Sequence, residues 1–228
     1  MDKKELKELL EIKGINVSDK MATDLDLYAD YILKANQSIN LTAIKDKDSF
    51  MEKMIFDSAL PLLLFNPKDK KIIDVGTGAG FPGMVLSIVG DCDVDLLDST
   101  GKKLNVIEGF GNSKVHTINN RVEEFVKNHR ESYDVAIARA VAPLNILLEL
   151  CLPLVKVGGH FIAMKALDAE NEIKEAKNAI EKLGANIEKI DKQSLPNGEI
   201  RINILFVKNK ETNKKYPRTF GDIKKKPL

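Results

Sequence analysis

The chain has 228 residues, 43% of them hydrophobic and 30% charged, which fits a single domain with one substantial core. Fourteen glycines, eight prolines and no low-complexity tract exclude collagen-like, coiled-coil and broadly disordered proteins. No apolar run reaches the roughly 18 to 20 residues of a membrane span, and no signal-peptide pattern follows Met1, so we expect a cytoplasmic protein.

The charge is unevenly distributed along the chain. In total, 35 basic and 34 acidic residues give a net charge of +1. From Val207 to Leu228, however, eight Lys or Arg and two acids give +6, which leaves −5 on the preceding 206 residues. Such a tail is either a solvated terminus or a contact for a nucleic acid. Cys92, Cys151 and the three histidines lack metal-binding spacing, so we predict neither a disulfide framework nor a metal site.

The first sixty or so residues show helical periodicity. Leucines at helical spacing before Gly14 predict one helix, and apolar residues in steps of three or four after Ser18, a suitable N-cap, predict a second. A third helix is predicted to start near Asp48 or Ser49 and to end before Pro67. We interpret residues 1–66 as a helical cap packed on a core formed by residues 67–228.

From Lys70 onward, short apolar runs alternate with amphipathic segments, which predicts parallel βαβ units. The predicted strands are 72–75, 94–97, 115–118, 135–138 and 161–164, and the predicted helices are 81–89, 101–111, 120–129, 143–151 and 168–183. Two further strands, 186–190 and 200–207, leave no room for a helix between them, so we expect them to be antiparallel. The predicted fold is α/β and Rossmann-like, with a mostly parallel seven-stranded sheet.

The strongest local motif is the strand and glycine loop Asp74-Val75-Gly76-Thr77-Gly78-Ala79-Gly80-Phe81-Pro82-Gly83. Glycines let the backbone adopt positive φ and let a ligand approach closely. The last three glycines satisfy the dinucleotide pattern G-x-G-x-x-G, but counted from Gly76 at the strand end, Phe81 takes the third glycine position. An acid two residues before three alternately spaced glycines resembles the loop of class I S-adenosylmethionine-dependent methyltransferases.

Asp98 ends the second predicted strand, 22 residues after Gly76. That spacing suits an acid that accepts hydrogen bonds from both ribose hydroxyls of a nucleoside-bearing cofactor. An isolated Asp at a strand end is more often a turn or cap residue. Together with the glycine loop, the ribose role is favoured.

Further stretches resemble one methyltransferase family, the bacterial small-subunit ribosomal RNA guanine-N7 methyltransferases (RsmG, or GidB). The matching stretches run through the whole chain: Asn40-Leu41-Thr42-Ala43-Ile44, Asp57-Ser58, Phe81-Pro82-Gly83, Leu97-Asp98-Ser99, Arg121-Val122-Glu123-Glu124, Ala138-Arg139-Ala140-Val141-Ala142, Tyr216-Pro217-Arg218 and Lys225-Lys226-Pro227-Leu228. One departure is Met54, at a position three residues before Asp57 where the family usually has His.

The resemblance implies S-adenosylmethionine as cofactor. The predicted cofactor site combines the loop, the ribose acid and the family's contacts: Asp74, Gly76, Gly78, Gly80, Phe81, Asp98, Val122, Glu123 and Arg139. Glu123 would accept from the adenine amino group, although a Glu in a first helical turn is equally well explained by the helix dipole. For Arg139 we favour contact with the cofactor carboxylate or a substrate phosphate.

The implied activity is methyl transfer to N7 of a guanine in 16S ribosomal RNA, with this RNA or the small ribosomal subunit as partner and a monomer as the acting unit. Guanine N7 carries a lone pair and no proton, so no general base and no catalytic residue are predicted. The predicted RNA contacts are Lys165, Lys214, Lys215, Arg218, Lys224, Lys225 and Lys226, with Tyr216 and Phe220 available for stacking. The alternatives are a methyltransferase for a small molecule or protein, and a non-catalytic RNA-binding module.

Overall fold

A computed structural model describes residues 1–228. A seven-stranded sheet lies at the centre of the protein. The strands are β1 (Ile72–Val75), β2 (Val94–Asp98), β3 (Val115–Asn119), β4 (Tyr133–Arg139), β5 (Val155–Lys165), β6 (Ala185–Ser194) and β7 (Ile200–Lys208). Their spatial order is β3-β2-β1-β4-β5-β7-β6. The first five are mutually parallel, whereas β7 is antiparallel to both β5 and β6. All seven predicted strands and the antiparallel final pair are therefore confirmed, in a mixed sheet.

Helices cover both faces of the sheet. They are α1 (Lys3–Ile12), α2 (Asp19–Asn36), α3 (Lys47–Phe50), α4 (Asp57–Ala59), α5 (Gly83–Gly90), α6 (Gly101–Phe110), α7 (Val122–His129), α8 (Leu144–Cys151), α9 (Ala169–Glu175), α10 (Lys177–Leu183) and α11 (Phe220–Lys225). A π-helical segment, Met51–Phe56, joins α3 to α4, and 3₁₀ turns follow α4 and α8. The Ser18 side chain caps α2, as predicted. No helix combines the length and the apolar character needed to cross a membrane.

Alternation along the strands divides the core into two layers. Ile72 and Ile73 are both fully covered but belong to different hydrophobic clusters, because successive strand side chains point to opposite faces. One cluster contains α1, α2, α5 and α6 side chains together with residues of β1, β2, β4, β5 and β7, so the N-terminal helices share a core with one face of the sheet. The other lies beneath α7 to α11. Burial on both faces explains why the parallel strands are short continuous apolar runs.

Three helix predictions need correction. The third helix starts earlier than expected, at Lys47, because the Asp46 side chain accepts from the Ser49 amide as an N-cap. The predicted helix 168–183 is two helices that meet at Ala176. The helix after the glycine loop starts at Gly83 rather than at residue 81, so Pro82 immediately precedes its first turn.

The C-terminal residues form an ordered part of the molecule. Lys208 is fully buried, and its ammonium donates to Glu131 and to the backbone oxygens of Leu152 and Val155. Further along, α11 packs against α8 and buries Ile223. The +6 segment is therefore folded back onto the domain.

Candidate functional site: two adjoining cavities at the edge of the sheet

The glycine loop between β1 and α5 needs its glycines for two reasons. Gly76, Gly78 and Gly80 have φ values of +72°, +60° and +83°, a region that side chains with a Cβ rarely adopt. A Cβ on Gly80 would lie 2.3 Å from the Tyr28 hydroxyl oxygen, whereas nothing lies within 4 Å of a Cβ on Gly78. The loop is thus packed tightly on its inner side and open at Gly78.

Asp74 lies beneath this loop and holds it in place. Its Oδ2 accepts from the Thr77 hydroxyl at 2.6 Å and from the Gly83 amide at 2.8 Å, while its Oδ1 has no hydrogen-bond partner. Burial of the whole side chain raises the pKa of Asp74 from 3.8 to about 6, against the opposing effect of these two donors. Its carboxylate lines neither of the cavities described next.

Asp98, at the end of β2, reaches the same loop from the cavity side. Its Oδ2 accepts from the Gly78 amide at 2.9 Å, and its Oδ1 accepts from the Thr100 amide at 2.8 Å. A carboxylate oxygen can accept more than one hydrogen bond, so Asp98 keeps acceptor capacity toward the cavity.

The first cavity has a volume of about 370 Å³ and lies at the carboxyl ends of β1, β2 and β4. Five predicted cofactor residues share it: Gly76, Asp98, Val122, Glu123 and Arg139. Ligands of open α/β sheets bind at this edge. Asp98 and Glu123 provide carboxylates from β2 and α7, and the apolar lining includes Val122 and Phe220.

A second cavity, of about 710 Å³, adjoins the first and shares Gly76, Lys103, Arg139 and Ala140 with it. It contains two further predicted cofactor residues of the loop, Gly78 and Phe81, whereas Gly80, like Asp74, lines neither cavity. Its remaining walls come from the N-terminal segment and from β5 and β7, including Met54, Asp57 and Arg201. Because β7 is antiparallel, its amino end places Arg201 at the same edge as the carboxyl end of β5.

Arg139 is joined to Arg201 through one buried carboxylate. Asp57 Oδ2 accepts from Arg139 Nη1 at 3.5 Å and from Arg201 Nε at 3.3 Å. Burial raises the pKa of Asp57, and the two guanidinium groups act in the opposite direction. The Arg139 side chain is only 13% exposed; it also donates to Ser58 and to the Lys53 carbonyl.

Comparisons with known proteins agree with this architecture. Residues 21–200 match the model of the family GidB, described as rRNA small subunit methyltransferase G. This chain belongs to that family. The ribosomal RNA small subunit methyltransferase G of Acetivibrio thermocellus is 43% identical over 242 residues and that of Streptococcus gordonii 38% over 237, with full coverage of both chains in each case.

Solved structures of lower identity share the fold of class I methyltransferases. A ribosomal protein L11 methylase from Lactobacillus delbrueckii is 16% identical, with a TM-score of 0.53, and covers 69% of this chain and 79% of its own. A 16S rRNA adenine-N1 methyltransferase from Catenulisporales acidiphilia, solved with S-adenosylmethionine, is 11% identical, with a TM-score of 0.51 and coverages of 64% and 88%. The predicted α/β, Rossmann-like fold is confirmed.

Met54 lines the second cavity and lies against Arg139. Its sulfur is 3.4 Å from Arg139 Nη2, and the guanidinium carbon lies 5.5 Å from the centre of the Phe81 ring. A thioether is a weak acceptor that carries no charge. Met54 therefore contributes packing and a weak contact to Arg139, and it brings no titratable group to the second cavity.

Arg201 is not among the predicted site residues, and Asp57 is predicted only as part of a stretch that resembles the family. A usable signal exists in the strand Ile200-Arg201-Ile202-Asn203-Ile204, where polar residues alternate with isoleucines. Arg201 belongs to a strand with buried neighbours, so its charge requires a partner nearby. The identity of that partner, 144 residues away along the chain, depends on the fold.

The predicted RNA contacts fall into two groups. Lys214, Lys215, Lys224, Lys225 and Lys226 are exposed. Lys165 is 7% exposed and donates to Glu172 and to the Ala142 carbonyl, and Arg218 pairs with the fully buried Glu149. Tyr216 is buried, and Phe220 lies at the first cavity rather than on the outer surface.

No three His, Cys, Asp or Glu side chains come together in a way that could hold a metal ion.

Proposed function

We propose that this protein transfers a methyl group from S-adenosylmethionine to N7 of a guanine in 16S ribosomal RNA. Family membership supports the RNA substrate. The observation that carries the proposal is the pair of adjoining cavities, because Gly76 and Arg139 belong to both and a cofactor and a base can therefore meet there.

The first cavity suits the nucleoside half of the cofactor. Asp98 offers acceptors for ribose hydroxyls, and Glu123, with its side chain 12% exposed, offers an acceptor for the adenine amino group. Gly78, which lines the adjoining second cavity, leaves room for close approach of a ligand. When bound, S-adenosylmethionine supplies an electrophilic methyl group on a positively charged sulfur. Arg139 provides a charge for the cofactor carboxylate or an RNA phosphate.

The second cavity suits the target base. A base in RNA must leave its stack to enter such a cavity, and it is then read by hydrogen bonds to its edges. Guanidinium donors and the Asp57 carboxylate both line this cavity, so it offers partners for acceptor and donor groups of a guanine. Phe81 also lines this cavity, although only 3% of its surface is exposed.

The residues of the site act by orientation. Guanine N7 has an in-plane lone pair and no proton to remove, so methyl transfer needs no general base. Holding two reactants in line is worth on the order of 7 to 11 kcal/mol. Burial raises the pKa of the Cys151 thiol and keeps it protonated, which argues against a thiolate nucleophile of the kind used by pyrimidine C5 methyltransferases.

We place the RNA backbone on the five exposed lysines of the C-terminal segment, Lys214, Lys215, Lys224, Lys225 and Lys226. Because one chain lines both cavities, a monomer is the proposed acting unit. The proposed location is the cytoplasm, where bacterial ribosomal RNA is made.

The test is a methyl-transfer assay on unmethylated small-subunit RNA, presented naked and in the assembled particle. We expect labelled RNA that is cleaved at one guanine by N7-specific chemistry. A transcript made with 7-deazaguanosine is the matched control and should accept no label, since it lacks N7. Label on protein or small molecules alone would refute the proposed substrate, and absence of S-adenosylhomocysteine binding in calorimetry would leave only an RNA-binding module.

A further inference from the structure

One aromatic side chain of the first cavity comes from the C-terminal segment, far along the chain from the cofactor loop. Phe220, the first residue of α11, lines this cavity together with Asp98 and Glu123. It is only partly buried, and like Val122 it packs against the core beneath α7 and α8. Part of its ring is therefore available to a ligand.

A buried ion pair fixes the position of this segment. Glu149 on α8 is fully covered, and its Oε1 accepts from Arg218 Nε at 2.8 Å and from the Arg218 amide at 3.0 Å. Its Oε2 accepts from Arg218 Nη2 at 2.6 Å, which makes the pair bidentate. Ile223, which has no exposed surface, anchors the same segment three residues beyond Phe220. Phe220 thus stands on a rigid support.

We propose that Phe220 is a cofactor-binding residue that packs against the adenine base of S-adenosylmethionine, and that residues 216–226 complete the cofactor cavity. This inference rests on the proposed function. Asp98 and Glu123 can satisfy polar groups at the edges of a nucleoside but cannot cover the flat faces of its base. Aromatic rings cover such faces well, because every base has a π-face.

The position of Phe220 separates this role from contact with the target base. Phe220 lines the first cavity, with the predicted ribose and adenine acceptors, but not the second, with Phe81 and Asp57. A residue that stacks on RNA would be expected in the second cavity or on the outer surface. The ring therefore belongs to the cofactor side of the site.

The experiment is calorimetric titration of the full chain with S-adenosylhomocysteine. Phe220→Ala should raise the dissociation constant about 5- to 100-fold, the range that loss of one base-stacking ring produces. Phe220→Tyr should stay close to the unaltered protein because it keeps the ring. Glu211→Ala, an exposed position of the same C-terminal segment, is the control and should have no effect.

A spectroscopic variant tests the same contact without reliance on affinity. The chain contains no tryptophan, so Phe220→Trp introduces a single indole fluorophore. Its emission should change when S-adenosylhomocysteine is added, whereas the emission of Glu211→Trp, at an exposed position of the same C-terminal segment, should not.

The outcomes are separable. An unchanged dissociation constant for Phe220→Ala, with the C-terminal segment as resistant to proteolysis as in the unaltered protein, would overturn the inference and leave the proposed function standing. Failure of the unaltered protein to bind S-adenosylhomocysteine would instead refute the proposed function. If Phe220→Ala loosens the segment, Phe220→Leu decides the matter, because it keeps apolar packing and removes only the aromatic face.

Discussion

At the scale of single residues, two aspartates at the ends of adjacent strands have opposite environments. Asp74 is completely buried beneath the glycine loop, and Asp98 is half-buried and lines the first cavity. Both accept hydrogen bonds from backbone amides of the segment 76–83. Asp74 therefore shapes the loop from beneath. Asp98 lies where its carboxylate can also contact a ligand in the first cavity.

Substitution of Asp98 is expected to weaken cofactor binding. Asp98→Ala removes the proposed ribose acceptors and also the partner of the Gly78 amide, each a charge-assisted hydrogen bond worth about 1.5–3 kcal/mol. We expect the dissociation constant of S-adenosylhomocysteine, measured by calorimetry, to rise at least tenfold. An unchanged constant in a folded variant would remove the ribose role. Asp93→Ala, an exposed acid beside β2, is the control.

The buried Asp74 predicts a pH dependence of stability. Its pKa is about 6 in the folded protein and 3.8 as the ordinary value, so the folded state binds the proton more tightly. This group therefore lowers stability as pH rises through that interval, by roughly 3 kcal/mol at 1.36 kcal/mol per pK unit.

Asp74→Asn removes this titration while an amide oxygen can still accept from Thr77 and Gly83. Urea unfolding at several pH values between about 3.5 and 7 should show the unaltered protein losing stability relative to Asp74→Asn as pH rises. A constant difference across that interval would contradict the prediction. Other carboxylates, including Asp57, cancel because they are present in both proteins.

At the scale of elements, the N-terminal helices are coupled directly to the cofactor loop. Tyr28 on α2 is fully buried, donates its hydroxyl to the Ala79 carbonyl at 2.8 Å and contacts the site of Gly80. Its ring also packs against Phe81. Asp57 makes a second connection, because it links the N-terminal segment to Arg139 on β4 and Arg201 on β7. These contacts make the predicted cap part of the site.

Tyr28→Phe should therefore affect the cofactor as well as the fold. It removes one buried hydrogen bond, worth about 1 kcal/mol of stability, and leaves the Ala79 carbonyl without a partner. We expect binding of S-adenosylhomocysteine to weaken about three- to tenfold.

The same helix offers a matched control in Tyr31, whose hydroxyl donates to the Val106 carbonyl of α6 at 2.9 Å. Tyr31→Phe should lose similar stability in urea unfolding with little change in cofactor affinity. Equal weakening of binding in both variants would show that Tyr28 acts only through overall stability.

At the scale of the whole molecule, the basic side chains of the C-terminal segment form two groups, one in ion pairs with the domain and one exposed to solvent. The buried Lys208 pairs with the partly exposed Glu131, Arg218 pairs with the buried Glu149, and both pairs fix the segment to the domain. The exposed lysines lie on the outside. Deleting the whole segment would remove both groups at once, together with Phe220, so it cannot test RNA binding alone.

The exposed group can be tested alone by Gln substitution, which leaves the ion pairs of Lys208 and Arg218 intact. The substituted residues are Lys214, Lys215, Lys224, Lys225 and Lys226. We expect weaker RNA binding and a smaller salt dependence, by about one unit of slope for each lost phosphate contact, with unchanged binding of S-adenosylhomocysteine. Gln substitution of five exposed lysines elsewhere, Lys3, Lys4, Lys20, Lys68 and Lys70, controls for net charge. If both sets reduced the slope equally, the C-terminal lysines would have no specific role.

Much of this fold follows from local pattern. Alternation and short apolar runs predicted every strand, and the glycine spacing predicted the loop, because both reflect interactions among residues close in sequence. The break at Ala176 was missed because the apolar face continues across it. Five of nine predicted cofactor residues line the first cavity, since the ends of parallel strands meet at one edge.

Local sequence pattern is sufficient to predict the order and type of the elements, the glycine loop and the uneven distribution of charge. Which charged side chains are exposed and which form buried ion pairs depends on the three-dimensional packing. Glu149 lies in the apolar stretch Leu144–Cys151, so it needs a partner, but nothing local identifies Arg218, 69 residues later. Backbone conformation is set by near neighbours, whereas the partner of a buried charge is set by topology, which brings distant segments together.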